Sequence, residues 1–178
     1  MTHSPVRPPS AQQQADQLAI LEVLNRHCRA LDRNDAQLLS DCYWPDASVD
    51  YGSFKGPAQD FAALVGPALS DAYELTRHCI SNTLITFDGD SARAESYVQA
   101  GHLLHGGTAQ MQFSGRYLDL LSKRDGSWCI SHRQVVMDWS HTGNLTDERS
   151  SEAFAALSKG SRDGSDPLYP FLRGGDRA

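Results

Sequence analysis

The chain has 178 residues, of which 40% are hydrophobic, and it carries a formal net charge of −6. This length suits one domain with a sizeable core, and an acidic chain without a basic cluster argues against binding to nucleic acid or to an anionic membrane. No apolar run approaches the roughly 20 residues that cross a bilayer, and the N-terminus lacks the apolar core of a signal peptide. We therefore expect a soluble, cytoplasmic protein.

The N-terminal third is predicted to be mainly helical. Residues 1–14 are rich in Pro, Gln and Ser and are predicted to form a disordered arm. An amphipathic helix is predicted over residues 16–31, because apolar residues recur there at steps of three and four, at Leu18, Leu21, Val23 or Leu24, Cys28 and Leu31. Further elements are a short helix over 36–42 capped by Asn34 or Asp35, a strand over 47–51, a turn at 55–57 and a third helix over 57–69.

After Asp71 the apolar period changes from near 3.6 to near 2. Long strands are predicted over residues 75–87, 92–104, 109–122 and 127–139. Asp88-Gly89-Asp90 and Arg124-Asp125-Gly126 are typical hairpin turns. Helices followed by an antiparallel meander indicate an α+β domain over residues 15–140, not a chain of βαβ units.

Residues 141–178 form a C-terminal extension in which the strand pattern stops. A short helix is predicted over 151–158. The apolar residues near the end could dock on the domain or on a neighbouring subunit; they are Leu168, Tyr169, Phe171 and Leu172.

His78 is the residue around which we organise the functional hypothesis. It alternates with Ile80, Asn82 and Leu84, so an imidazole and an amide are predicted to point the same way as apolar side chains. Asp32, at the end of the first helix, is the only comparably placed acid. We hypothesise that the fold brings Asp32 to His78 in a cavity as a proton-transfer pair. The alternatives are a core histidine at position 78 and an aspartate that only terminates the helix.

The sequence contains no motif for a metal site or for a reactive thiol. The four cysteines are widely spaced without a Cys-x-x-Cys pair, which predicts neither a zinc site nor a redox site. His78, His102 and His132 also lack metal-ligand spacing. We expect no metal and no cofactor.

Six short segments together resemble one known family. They are Arg-His-Cys-Arg-Ala-Leu-Asp-Arg-Asn-Asp (26–35), Asp-Tyr-Gly-Ser-Phe-Lys-Gly (50–56), Thr-Arg-His-Cys-Ile-Ser-Asn (76–82), Ala-Glu-Ser-Tyr-Val (94–98), Gly-Arg-Tyr-Leu-Asp (115–119) and His-Arg-Gln-Val-Val-Met-Asp-Trp (132–139). In this order they resemble the SnoaL-like branch of the nuclear transport factor 2-like superfamily. The resemblance implies a cone in which three N-terminal helices pack on a strongly curved, mostly antiparallel sheet around one cavity.

The branch includes scytalone dehydratase, bile-acid 7α-dehydratase and hexachlorocyclohexane dehydrochlorinase, which use an Asp–His pair without metal or cofactor. The resemblance implies Asp32, His78, Tyr51 and Arg133 as catalytic residues. His27 stands where relatives commonly have tyrosine, which suggests a different substrate. The residues expected to contact substrate are His27, Trp44, Phe54, Asn82, His102 and Met137.

This set of residues fits an elimination. A histidine can take and return a proton near neutral pH, and a carboxylate on its other ring nitrogen fixes the tautomer. We therefore expect a cofactor-independent lyase for a hydrophobic, hydroxylated aromatic or polycyclic molecule, acting by dehydration or by a related cleavage such as deformylation. The relatives imply a homo-oligomer, either a trimer or a dimer.

Other readings stay open. The same fold serves ketosteroid-isomerase-like isomerases and non-catalytic proteins, such as ligand binders or the β-subunit of ring-hydroxylating dioxygenases. Structural roles also compete: Tyr51 as a core aromatic, His102 as a solvent-facing residue, and Arg133 as the ion-pair partner of Glu95 or Asp119.

Overall fold

A long helix opens the fold. In the computed structural model, which describes residues 7–174, α1 spans Ala11–Arg33. Ser10 Oγ accepts a hydrogen bond from the Gln13 backbone, and the Gln13 side chain accepts one from the Ser10 backbone. This capping box satisfies N–H groups that the first turn leaves free and begins the helix at Ala11. Residues 11–14 are therefore helical, not disordered; residues 1–6 of the predicted arm lie outside the described residues.

Two shorter helices and a small hairpin follow. The helix α2 spans Ala36–Asp41, and Asp35 is its N-cap, accepting from the Leu38 backbone at 2.9 Å. The strand β1, Tyr43–Asp50, begins four residues earlier than predicted and pairs antiparallel with β2, Lys55–Pro57, where only a turn was predicted. The helix α3 spans Ala58–Ala72.

Four long strands form the rest of the sheet. They are β3 (Tyr73–Asp88), β4 (Ser91–Leu104), β5 (Ala109–Arg124) and β6 (Ser127–Asn144). The strand order is β2-β1-β6-β5-β4-β3, and every neighbouring pair is antiparallel except β1 with β6. The sheet is curved and unclosed, with β2 and β3 at its edges. The predicted α+β cone with a mostly antiparallel sheet is confirmed.

A bulge in β3 changes which side chains face inward. The register with β4 shifts between Ser81 and Leu84, and Asn82 adopts a positive φ of 48°. Beyond the bulge Leu84 is 71% exposed, whereas Ile85 packs on the core. The prediction that Asn82 and Leu84 share the inner face with His78 is therefore wrong, because one extra residue moves the following side chains to the other face.

The helices cover the inner face of the sheet. The helix α1 lies against β3 and β6, and α3 lies against β1 and β3. Ile20, Leu24, Phe61 and Ile130 are among the buried residues of the main core, which joins both helices to the sheet. Within residues 7–174, no helix is both long and apolar enough to cross a membrane.

The C-terminal extension contacts its own domain. Residues 151–158, predicted as a helix, form only turns, and a short helix α4 spans Leu168–Leu172 instead. Arg162 and Asp166 are buried to 9% and 4% exposure. Their contacts are with the end of α1, where Arg162 donates to the Leu31 carbonyl and Asp166 pairs with Arg33.

Candidate active site

Asp32 occupies the last turn of α1, and its carboxylate faces β3. The helix ends beside it because Asn34 takes a left-handed conformation, with φ 51°. Asp32 Oδ1 accepts from Thr76 Oγ1 at 3.0 Å, and Asp32 Oδ2 accepts from the His78 backbone at 2.9 Å. These bonds tie the carboxylate, which is 9% exposed, to the strand that carries His78.

His78 completes this contact through its ring. His78 Nδ1 lies 2.7 Å from Asp32 Oδ1, and the His78 side chain is 8% exposed. Since the carboxylate oxygens accept the hydrogen bonds around them, Nδ1 is the donor and the neutral ring carries its lone pair on Nε2. No described residue hydrogen-bonds to Nε2. The pair therefore has the geometry that holds a histidine ready to accept a proton.

A cavity of about 250 Å³ lies inside the cone next to His78. Most of its walls are apolar or aromatic, and its polar groups are few. The lining residues are Leu31, Tyr51, Phe61, Val65, Leu69, Tyr73, His78, Ala100, His102, Met111, Phe113, Tyr117 and Val135. Such a combination is typical of sites for small hydrophobic molecules.

A second hollow, of about 790 Å³, is also lined by Asp32 and His78. Outward-pointing polar side chains line it, including Arg77, Gln99 and Gln112. Because the inner cavity is apolar and lies on the face covered by the helices, we assign the candidate active site to the inner cavity.

His102 is the second histidine of the cavity wall. It is 6% exposed, so the solvent-facing alternative is wrong. Its ring meets the His78 ring edge-on at 5.4 Å and lies 4.6 Å from the Tyr73 ring. Burial, with a smaller contribution from His78, lowers the pKa of His102 to about 4. His102 is therefore neutral at pH 7 and can act there as a hydrogen-bonding group.

Tyr51 lines the cavity across from the strands. Its ring stacks on Phe61 at 4.2 Å, and its hydroxyl lies 3.5 Å from His27 Nε2. Burial raises the pKa of Tyr51, although the Arg133 charge opposes this effect. The hydroxyl therefore stays protonated near neutral pH and can donate a hydrogen bond to an oxygen in the cavity.

His27 lies behind the cavity wall. It is fully buried, and its Nε2 lies 2.8 Å from the hydroxyl of Tyr43, a residue for which no role was predicted. Burial lowers the pKa of His27 well below its ordinary value, with a further contribution from Arg133. His27 is not among the residues lining the cavity, and its contact with substrate stays a prediction.

Arg133 forms the buried ion pair that was the structural alternative. Its Nε and Nη2 donate to the two carboxylate oxygens of Asp119 at 2.6 and 2.8 Å. Both side chains are 0% exposed, and the guanidinium lies 4.1 Å from the centre of the Tyr117 ring. The ring of Tyr117 lines the cavity and Arg133 does not. The third guanidinium nitrogen, Nη1, has no hydrogen-bond partner among the described residues. Arg133 therefore supports the wall from behind, and its predicted catalytic role stays a prediction.

Four more predicted contact residues lie away from the cavity lining. Trp44 donates its indole N–H to the Ser122 carbonyl and lies under Arg124, while Phe54 packs on Phe61. Asn82 is exposed at the β3 bulge. Met137 is 63% exposed, two residues beyond the lining residue Val135. The size of these side chains and the alternation of the strands suggested that they contact substrate. Neither property determines which residues line the cavity.

The sequence reasoning missed Thr76, whose hydroxyl helps to hold Asp32. Thr76 stands two residues before His78, so the same strand alternation contained a signal for it. Tyr73, Phe113 and Tyr117 of the wall were also missed. No group of three or more His, Cys, Asp or Glu side chains suited to a metal ion occurs in the described part of the chain.

Comparisons with solved structures agree with this fold. The hexachlorocyclohexane dehydrochlorinase LinA-type3 from Novosphingobium barchaimii has 19% identity and a TM-score of 0.68, covering 74% of this chain and 92% of its own. A candidate scytalone dehydratase from Novosphingobium aromaticivorans has 22% identity and a TM-score of 0.66, covering 75% and 93%. The Kfla4162 protein from Kribbella flavida has 20% identity and a TM-score of 0.66, covering 72% and 95%. At these identities the likeness concerns the fold alone.

A search of curated protein sequences found no match. The profile of the SnoaL-like domain family matches residues 12–134, which is more than half of the chain and includes both Asp32 and His78. The chain therefore belongs to the SnoaL-like domain family.

Proposed function

We propose that this protein is a cofactor-independent lyase that uses the Asp32–His78 pair for acid–base catalysis on a small hydroxylated aromatic molecule. The hydrogen bond of 2.7 Å between Asp32 Oδ1 and His78 Nδ1 carries the proposal, because it directs the basic ring nitrogen away from the carboxylate. The structural relatives named as a dehydrochlorinase and as a candidate scytalone dehydratase support the same reaction class.

The chemistry follows from the cavity wall. In a dehydration, His78 Nε2 takes a proton from the carbon next to the hydroxyl-bearing carbon. The electrons of that C–H bond form the double bond, and the C–O bond breaks. The leaving hydroxide takes a proton from an acid, either the His78 imidazolium or the Tyr51 hydroxyl, and departs as water. Asp32 stabilises the imidazolium while it exists, and positioned acid–base groups typically contribute about 10²–10⁴-fold in rate.

The size of the cavity narrows the substrate class. An apolar cavity of about 150 Å³ holds one benzene molecule. The inner cavity, at about 250 Å³, therefore suits a single substituted ring, and its aromatic walls suit a flat one. A steroid-sized molecule would need the walls to move. We propose one-ring diols and related hydroxylated aromatics over polycyclic compounds.

A substrate screen tests the proposal. The purified protein is incubated with hydroxylated one-ring aromatics, hydroxylated steroids and halogenated compounds, and products are followed by mass spectrometry. We expect loss of water, formaldehyde or hydrogen halide from a one-ring compound. A product of unchanged mass would indicate an isomerase instead, and saturable binding without turnover would indicate a ligand-binding protein.

Variants then test the pair. Asp32→Asn and His78→Ala should each lower kcat/KM by roughly 10²–10⁴-fold and leave the fold intact by circular dichroism. His141→Ala is the matched control, because His141 is an exposed histidine outside the cavity lining. It should keep the wild-type rate. Undiminished turnover in either pair variant would contradict the mechanism.

We also propose that the chain self-associates through the outer face of the sheet, as a dimer or a trimer. Tyr97, Leu120 and Trp139 point outward there and are 50%, 44% and 61% exposed. Large exposed apolar side chains that lie on one face favour a protein partner over water. Sedimentation velocity measures the assembly, and a monomer at micromolar concentration would contradict this proposal.

A further inference from the structure

The C-terminal extension lies beyond residues 12–134, which the family profile matches, and it contacts both elements that hold the catalytic pair. On the strand side, the Arg149 guanidinium pairs with Glu74 and with Asp147. Glu74 is the second residue of β3, the strand that carries His78. The extension is therefore tied to the beginning of that strand.

The helix side has a second group of contacts. Arg33 donates to the Ser161 carbonyl at 3.4 Å and pairs with Asp166, also at 3.4 Å. Arg162 Nη2 donates to the Leu31 carbonyl at 3.2 Å. Leu31 and Arg33 are the residues on either side of Asp32. The extension therefore contacts the turn of α1 that carries the Asp32 carboxylate.

Arg162 differs from an ordinary surface arginine. The residue is 9% exposed, and its Nε and Nη1 have no hydrogen-bond partner among the described residues. A buried charge without full compensation costs several kcal/mol, so such groups are normally paired. No role was predicted for Arg162 from the sequence.

The charges around Arg162 point to Asp32. Burial lowers the pKa of Arg162, the Asp32 carboxylate opposes that effect, and the Arg33 guanidinium adds to it. Asp166, the other nearby acid, already pairs with Arg33 and accepts from the Ser161 and Leu168 backbones. Asp32, one residue from the Leu31 carbonyl that Arg162 contacts, is therefore the acid whose charge acts on the buried guanidinium.

We propose that Arg162 is a positioning residue for the candidate catalytic pair: it holds the last turn of α1 through the Leu31 carbonyl and places a buried positive charge near Asp32. The catalytic role of Arg162 rests on the proposed function. Its effect on the protonation of Asp32 and His78 does not, and it can be measured without a substrate. The SnoaL-like domain thus acquires a part of its active-site support from a segment outside the family match.

This placement has a consequence for proton transfer. A positive charge near the pair disfavours protonation of the carboxylate and of the imidazole that it contacts. The other charged and titratable groups around His78 and Asp32 come from α1 and the strands; they are His27, Cys28, Arg29, Arg33, Arg77, Cys79 and His102. Removing the Arg162 charge should favour the protonated states of Asp32 and His78. The variant should therefore lose a larger share of its kcat/KM at acidic pH than the wild type does.

Histidine NMR tests the coupling without a substrate. Protein labelled with ¹⁵N-histidine is titrated, and the ring nitrogens of His78 are followed in the wild type, in Arg162→Met and in Arg162→Lys. We expect the His78 titration midpoint to rise by roughly half a pH unit in Arg162→Met, as a unit charge partly screened by water would cause. Arg162→Lys should return the midpoint most of the way, because it restores the charge.

Arg149→Met is the matched control. It removes one arginine charge from the same extension, but its partners Glu74 and Asp147 lie on the strand side. It should leave the His78 midpoint within about 0.2 pH unit of the wild type, a shift appropriate to a screened surface charge. An equal midpoint in Arg162→Met and wild type, or an equal shift in both arginine variants, would overturn the proposal.

Activity provides the second readout. With a substrate from the screen, the acid limb of the kcat/KM profile in Arg162→Met should move in the same direction as the NMR midpoint, with kcat lowered more than KM is changed. If Asp32→Asn and His78→Ala keep full activity, the proposed function fails, while the NMR titration still decides whether Arg162 acts on the pair.

Discussion

Two buried ion pairs flank the cavity, and they differ in what they leave free. Asp32–His78 uses one ring nitrogen and leaves the other without a partner among the described residues. Asp119–Arg133 is bidentate, its side chains are 0% exposed and it lies behind Tyr117, so that Arg133 Nη1, which has no hydrogen-bond partner among the described residues, does not line the cavity. Both pairs contain residues that the sequence suggested as catalytic. Burial and charge are common to both pairs, so they do not single out a candidate catalytic group; the difference is that the free atom of His78 belongs to a residue of the cavity wall.

The energetics of the two pairs should differ in the same way. Although burial by itself would lower the pKa of Arg133, the Asp119 carboxylate raises it well above its ordinary value, so Arg133 keeps its charge in the folded protein. The stability of the folded protein then depends on Asp119, which compensates the buried Arg133 charge. The Asp32–His78 pair lies at the cavity edge, where substrate binding and proton transfer can change its state.

Removing Asp119 should have the largest effect on stability. Asp119→Ala leaves the Arg133 charge buried without a counter-charge, and the expected loss is about 3–5 kcal/mol in the free energy of unfolding. Urea unfolding measures it. Glu95→Ala is the control, because it breaks a half-exposed pair with Arg116 and should cost no more than about 1 kcal/mol. Equal losses in the two variants would contradict the structural role of the Asp119 pair.

The pH dependence of stability is the next largest effect, and it concerns the histidines around the cavity. The pKa of His102 is lowered to about 4, so between about pH 6.5 and pH 4 the unfolded chain binds a proton that the folded chain does not. Stability is therefore full above that window and falls as the pH is lowered through it, by up to about 1.4 kcal/mol per pH unit for one histidine.

The buried His27, whose pKa is also lowered, should add to this slope. Urea unfolding at several pH values in the window measures the dependence. His102→Leu should reduce the slope, and His141→Ala, at an exposed position, should leave it unchanged. An unchanged slope in His102→Leu would show that His102 is not held neutral by the fold.

A change at Thr76 should have the smallest effect. It tests the Asp32–His78 pair, because Thr76 donates a hydrogen bond to Asp32. Thr76→Val removes the hydroxyl that donates to Asp32 Oδ1 at 3.0 Å. A hydrogen bond to a charged group contributes about 1.5–3 kcal/mol to stability. If about 1.4 kcal/mol of transition-state stabilisation is lost, the rate falls tenfold. We expect a loss of about tenfold in kcat/KM together with a small loss of stability.

Thr83→Val is the matched control for that substitution. It removes a threonine hydroxyl from the same strand, but this hydroxyl pairs with Ser96 Oγ at 3.1 Å, not with the carboxylate. Its stability should fall by about 1 kcal/mol with kcat/KM unchanged. If Thr76→Val is fully active, the hydrogen bond to Asp32 is structural only.

Local patterns predicted most of the elements. The three-and-four spacing predicted α1, the change of period predicted the four long strands, and the turn sequences predicted their hairpins. These features depend on neighbours within a few residues, and the amino-acid sequence determines them directly.

Other features depended on the tertiary structure. The β3 bulge moved Asn82 outward, because strand period carries no information about an extra residue. Arg133 is held through Nε and Nη2 by Asp119, fourteen residues away on the neighbouring strand, a contact that the sequence offered only as one of two possible ion pairs. Arg162 lies 131 residues from the Leu31 carbonyl that it contacts.

The sequence by itself determined the elements, their order and, through a family resemblance, the pairing of Asp32 with His78. The tertiary structure decided which polar side chains face the cavity, which are held by buried partners and where the C-terminal extension contacts the end of α1. The physical reason is that secondary structure follows from short-range periodicity, whereas burial, ion pairing and cavity walls follow from contacts between residues distant in the chain.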